Sequence, residues 1–241
     1  MDILFVFIIA LISAVLQATI GFGFSIIAMM FFPRMFPYPI AVTLNISIAL
    51  MNTSYLSILN HKHIKWSTLF PLLVPSLIIG VLFTFFSTSI DSVYMDMLLG
   101  CLLILLSIYF ILLSDKIKVK PKRSTGALMG SIAGIGNGLF GIGGPPAALY
   151  LMPAVEDKRE YLATIQCYFA LSNLVNLFLR IAMNHYPQSL LVHTLSGWAG
   201  VLLGSTIGSL FFKRMKLSLL RRFVYLFVGI NGLYLILSSV L

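Results

Sequence analysis

Charge is what this chain lacks most. Only 10% of its 241 residues are Asp, Glu, Lys or Arg, against roughly 25% in soluble domains, and a chain that is 59% hydrophobic has too few polar groups to cover itself in water. It reads as an all-α polytopic membrane protein. Carboxylates are scarcest: there are seven Asp and Glu, and none lies deep in an apolar run except Asp96, near the start of one. That leaves poor support for a carboxylate proton relay or a Na⁺ cage, and there is no buried acid pair. Cys101 and Cys167 each stand alone in an apolar run, without the spacing of a metal site or disulfide framework, and read as packing residues. No HExxH occurs, and His61 and His63 read as solvated beside Lys62 and Lys65. No catalytic residue, metal or cofactor is expected.

Basic residues are present in excess, with a net charge of +9. They cluster at the ends of apolar runs, as cytoplasmic membrane loops do, so nucleic acid is not the expected partner. The first stretch, "MDILFVFIIALISAV", has no basic flank and is expected to stay as a membrane segment rather than a signal peptide.

A crossing helix needs about 20 apolar residues, and the runs are 3–32, 39–59, 67–87, 94–114, 126–153, 161–183, 189–212 and 218–240. The first and fifth are too long and carry glycine breaks. The basic segment 115–125 separates a first repeat, 1–114, from a second, 126–241. With Gly21 set against Gly141, "IGFGFSIIAMMFFP" (20–33) lies over "FGIGGPPAALYLMP" (140–153), and Gln17 pairs with Asn137. One residue further along, "TLNISIALMN" (43–52) lies over "TIQCYFALSN" (164–173), and later "IGVLF" (79–83) over "IGSLF" (207–211).

Charge decides between two topologies. If all eight runs cross once, the sixteen basic residues divide eight and eight, against the positive-inside rule. If runs one and five instead enter, turn and leave on the same side, the split becomes fourteen to two, leaving only Arg34 and Arg180 outside. Both termini then lie outside and the 115–125 linker in the cytoplasm. Each repeat is a glycine-broken re-entrant hairpin plus three transmembrane helices. An odd number of crossings makes the two repeats inverted, a transporter signature with its site near the midplane. The first arm of hairpin one, Ile3–Ala18, is long for this purpose at ~24 Å; it tilts, or the run is instead a broken spanning helix.

Non-helical backbone at membrane depth belongs where it is buried in protein or lines a cavity. The chain returns to helix at Ser25, read as a cap, and at Pro145-Pro146, suited to a first helical turn. The half-helix N-termini then face each other and favour an anion. The expected binding residues are Gly21, Gly23 and Ser25 at the first tip and Gly141, Gly143 and Gly144 at the second. Asn45 and Asn52, with Ala49 between them, and Gln166 and Asn173, with Ala170 between them, add two amide faces at i, i+4, i+7. Gln17 and Asn137 are weaker lining candidates. Arg34 and Arg180 read as snorkelling residues at helix ends, with a gate role as the alternative for Arg180. Ala10, Ser13 and Ala14, with Gly130, Ala133 and Gly134, read as close-packing positions.

The paired breaks "GFGFSIIAMMFFP" and "GIGGPPAALYLMP" in a duplicated chain of this length resemble the TauE/SafE family, over essentially the whole chain. The second motif fits well. The first departs from it, with Phe24 in place of a small residue and no proline after the turn. The resemblance implies export of a small anion, typically sulfite, sulfoacetate or another organosulfur compound, across the bacterial inner membrane. The expected partners are that anion and the lipid bilayer, with a homo-oligomer left open. A passive anion channel is the alternative within the class; a membrane enzyme or maturation factor is the alternative outside it.

Overall fold

The structure, a computed structural model, describes residues 2–113, 120–155, 157–211 and 229–237. The described residues form the α-helices α1 (Asp2–Ile20), α2 (Phe24–Phe31), α3 (Tyr38–Leu59), α4 (Trp66–Thr88), α5 (Ser92–Ile108), α6 (Arg123–Phe140), α7 (Gly144–Ala154), α8 (Lys158–Ala182) and α9 (Leu190–Phe211). Residues 229–237 are also helical. Among the described residues α1, α3, α4, α8 and α9 are long and apolar enough to cross a membrane. The predicted runs one and five are each split in two at their glycines. Most of the last predicted run, and Lys116, Lys118, Lys213, Arg214, Lys216, Arg221 and Arg222, lie outside the described residues.

Helix boundaries follow the internal register. α1 ends at Ile20 and α6 at Phe140; α2 begins at Phe24 and α7 at Gly144; α3 begins at Tyr38 and α8 at Lys158. Packing follows it too. α1 lies along α9 and α6 along α4, so the first helix of each half packs on the fourth helix of the other, while α3 packs on α8.

Small residues make these seams close. Gly200, Gly204 and Gly208 of α9 sit successively on the Phe7, Leu11 and Val15 carbonyls of α1, with Ala10 and Ala14 between. Gly130, Gly134 and Gly138 of α6 sit successively on Leu72, Ser76 and Gly80 of α4. Residue numbers rise together along both seams, so each pair of helices runs parallel. Lipid tails leave van der Waals packing to hold helices together, and backbones without side chains between them pack closest. The small residues expected at close contacts are there.

Polar pairs fix the remaining directions. Ser76 meets Tyr168 at 2.6 Å, Thr84 meets Asn176 at 3.3 Å and Ser87 meets Arg180 at 3.4 Å, so α4 and α8 run parallel. Trp198 donates to the Ser47 carbonyl at 3.1 Å and Ser205 to Asn52 at 2.8 Å, so α3 and α9 run parallel. The short connection 60–65 turns α4 back against α3, so α3 and α8 are antiparallel. Lys65, just past the end of α3, pairs with Glu160 at the start of α8 at 3.0 Å.

The two breaks double the chain back. Ser196 donates to the Ile3 carbonyl at 2.8 Å, and the His193 ring meets the Phe36 ring edge-on at 5.1 Å. The start of α1 and the exit of α2 therefore lie at one end of α9. At the other break, the Tyr150 ring near the end of α7 packs on Gly126 near the start of α6.

Amides are buried within an apolar core while large apolar side chains also face outward. Gln17, Asn45, Asn52, Gln166, Asn173 and Asn176 are buried, whereas Leu4, Ile58, Leu105 and Phe178 are largely exposed. Such a surface suits hydrocarbon, and its buried amides suit a path or interhelical bonds. Cys167 is buried as expected, but Cys101 faces outward: its side of α5 is not covered by another described helix. His61 and His63 are exposed in a short turn.

Candidate functional site

The two glycine breaks meet. Gly21 and Gly23 have φ of 93° and 116°, and Gly141 has φ of 69°, left-handed backbone that glycine adopts without a Cβ penalty. Phe22 of the first tip lies against Gly144 of the second. Gly23 holds the cap position of α2 with no side-chain bond. The expectation that Ser25 caps this helix is thus corrected: Ser25 lies inside the first turn, two residues past the cap. Pro145 and Pro146 fill the first turn of α7 as expected. Having no N–H, they leave α7 with fewer free amides than α2, and the amides nearest its start belong to Gly143 and Gly144.

Between the tips lies a cleft of about 20 Å³, walled by Gln17, Gly23, Phe24, Ser25 and Ile26 from the first half-chain. Asn137 and Gly141–Gly144 face them from the second, and Ala49, Thr53, Phe169 and Asn173 from α3 and α8 complete the wall. No acidic or basic side chain is among these residues. The volume holds on the order of one water, so a larger anion requires the tips to part.

Four of the predicted residues stand outside this cleft. Gln166 donates to the Gly21 carbonyl at 2.9 Å and accepts from Gln17 Nε2 at 3.0 Å; it ties the first tip to α8. Gly21 itself is covered by Tyr161 and Leu162. Asn45 is fully buried with neither side-chain polar atom bonded, and its amide nitrogen sits behind Gly141. Asn52 accepts the Ser205 hydroxyl and so points to α9. The 45/49/52 face is divided among the second tip, the cleft and α9, so only Ala49 reaches the cleft. Thr53 and Phe169, one place round their helices from Asn52 and Ala170, line it instead.

Sequence reasoning missed the residues holding the second tip. Asn176 Nδ2 donates to the Asn137 carbonyl at 2.7 Å, Arg180 Nη2 to the Gly138 carbonyl at 2.8 Å, and the Tyr38 hydroxyl to the Leu139 carbonyl at 2.9 Å. Three successive carbonyls at the end of α6 are thus satisfied by side chains, as a buried helix end requires. Arg180 does not snorkel. It is 1% exposed, the only fully buried charged side chain among the described residues, and its Nε also donates to Asn176 Oδ1 at 3.0 Å. A cation is favourable at a helix C-terminus, here that of α6. The sequence did hold a signal: Gln166, Asn173 and Arg180 are spaced by seven and continue one face of α8. Arg34 is also bound, to Asn231 at 3.2 Å and over the Tyr234 ring at 4.2 Å.

The model of the family described as "Sulfite exporter TauE/SafE" matches residues 6–235. The chain belongs to that family. No curated protein and no solved structure matches it. As a TauE/SafE protein it is a multi-pass membrane transporter of the sulfite-exporter type, and the matched span takes in both glycine breaks, the cleft between them and Arg180.

Proposed function

We propose that this TauE/SafE protein is a secondary transporter that exports a small anion, such as sulfite or an organosulfonate, across the bacterial inner membrane. The anion binds between the tips of two re-entrant hairpins, α1–α2 and α6–α7, near the midplane. These belong to inverted repeats, residues 1–114 and 126–241, joined by a cytoplasmic linker at 115–125. The observation that carries this reading is the meeting of the two broken helices at a cleft with amide, hydroxyl and glycine walls and no charged side chain. Such a site suits an anion held by backbone dipoles and neutral donors.

Helix directions support the inverted arrangement: α3 opposes α8, and each half's first helix is parallel to the fourth helix of the other half. Charge supports the orientation. Lys62, Lys65, Lys120, Lys122, Arg123, Lys158 and Arg159 all lie near the end where Lys65 meets Glu160, whereas Arg34 and Arg180 lie toward the opposite end, with the start of α3. The basic end is taken as cytoplasmic, which places the start of α1 outside. First arms of 19 and 18 residues are about 27–28 Å long, close to the hydrocarbon thickness of ~30 Å, and the return arms of 8 and 11 residues are shorter.

Side-specific labelling checks the topology. In a background lacking Cys101 and Cys167, a Phe36→Cys variant is expected to react with an impermeant thiol reagent only from outside, and Val155→Cys only from inside; the reverse pattern, or reaction of both from one side, sinks the arrangement. For the ligand, thermal unfolding of the purified protein against a panel of solutes is the test. Sulfite, a sulfonate or thiosulfate is expected to raise the melting temperature. Stabilisation by a cation or neutral solute alone, with every anion inert, refutes the anion site.

A further inference from the structure

The central cleft shares a lining residue with each of two further cavities. At the basic end, Gln17, Leu56, Leu59, Asn60, Gln166 and Ser205 border a vestibule of about 230 Å³. Toward the opposite end, Ser76, Thr84, Asn137, Ser172 and Asn176 border a chamber of about 10 Å³. Gln17 is common to vestibule and cleft, and Asn137 to cleft and outer chamber. These two amides are partners in the internal register.

The vestibule is lined by α1, α3 and α8 with Ser205 of α9, and the outer chamber by α4 and α8 with Asn137 of α6. Their volumes differ more than tenfold. One side-chain difference accompanies it. In the register that pairs Thr43 with Thr164, Leu59 stands opposite Arg180. Leu59 borders the open vestibule, whereas Arg180 joins the end of α6 to Asn176 of α8 and Ser87 of α4 across the outer side.

We infer that vestibule, cleft and outer chamber are successive compartments of one anion path, held here open toward the basic end, and that Arg180 is its outer gate. This rests on the transporter reading above. A guanidinium bonded to a carbonyl, a side-chain amide and a hydroxyl has only neutral acceptors, and a charged oxygen is a stronger one. An anion arriving beside Asn137 therefore competes with the Gly138 carbonyl for Arg180 Nη2. Once that bond is exchanged, the end of α6 is held only by Asn176, Tyr38 and its packing on Gly80, and the outer chamber widens. The inner partition is the weaker neutral bond between Gln17 and Gln166. His185, in the connection after α8, is held below the ordinary imidazole range by burial and then by Arg180.

The test uses the full chain with Cys101 and Cys167 replaced by serine and one reporter cysteine, Ser172→Cys in the outer chamber or Leu56→Cys in the vestibule. The probe is a membrane-impermeant methanethiosulfonate reagent. Arg180→Gln is expected to speed outside labelling of Ser172→Cys at least about tenfold, as loss of a charge-assisted clamp shifts the population outward, and to slow inside labelling of Leu56→Cys. A merely loosened fold speeds both and overturns the gate, as does an unchanged rate at Ser172→Cys. Should Arg180→Gln not yield folded protein, Asn176→Ser, which removes the Nε acceptor but keeps the charge, is expected to move both reporters the same way by less; no movement there also overturns it. Sulfite flux through the wild-type protein is measured separately. Its absence refutes the transport reading, whereas the labelling rates decide the gate.

Discussion

Gly143→Leu is expected to abolish sulfite transport in reconstituted vesicles while leaving the protein folded. Gly143 has φ of −109°, an ordinary backbone conformation, so the substitution adds no left-handed strain. A Cβ there would stand 3.0 Å from the Ala133 carbonyl oxygen and 3.3 Å from the Tyr168 hydroxyl, a tight fit costing about 1–3 kcal/mol of stability. The rest of the side chain must push the second tip away from Ala133, Asn137 and Tyr168 or enter the cleft, which is about 20 Å³. Either way the meeting of the two tips is disturbed, and transport is expected to fall below about 1% of wild type. Melting temperature and elution profile check the fold, and isotope flux checks the function. Full flux in a folded Gly143→Leu protein removes the second tip from the path.

The largest effect on stability is expected at Gly130. A Cβ at this position falls on the Leu72 carbonyl, with Leu72 backbone atoms on either side, and backbone has nowhere to retreat. A leucine there must pry α6 from α4 along a seam continued by Gly134 and Gly138. The cost is expected to exceed about 3 kcal/mol, and the variant is expected to aggregate or be lost during detergent extraction. Gly204→Leu attacks the sister seam between α1 and α9, where a Cβ falls on the Leu11 carbonyl, and is expected to fail in the same way. Leu128→Ala, two residues from Gly130 but on an exposed face, is the control and is expected to extract normally. A monodisperse, thermally unchanged Gly130→Leu protein contradicts the seam.

What could be read from the residues and what could not divides along physical lines. The glycine breaks and the duplication were legible because a backbone turn at membrane depth leaves a mark on residue type, and repetition makes the mark visible twice. Gln17 and Asn137, weak candidates in the sequence, both line the cleft, since each immediately precedes its tip. The amide faces were legible as faces but not as neighbours: Asn52 turns to Ser205 and Gln166 to Gln17, and only tertiary packing decides which partner a buried amide meets. Arg180 was misread for a related reason. A basic residue near the end of an apolar run looks the same whether it reaches for water or for the end of another helix. The parallel course of α8 beside α4 and α6 makes that difference, and no local pattern encodes it.

One measurement bears most directly on the central claim, that an anion is carried by alternating exposure of a site between two opposed tips. Vesicles containing the purified protein are loaded with unlabelled sulfite and given a trace of labelled sulfite outside. The account predicts protein-dependent accumulation of label that saturates with sulfite concentration and is stimulated by sulfite on the opposite side. Flux that rises linearly without saturation or counterflow, as through an open anion channel, or no sulfite flux at all, would contradict it.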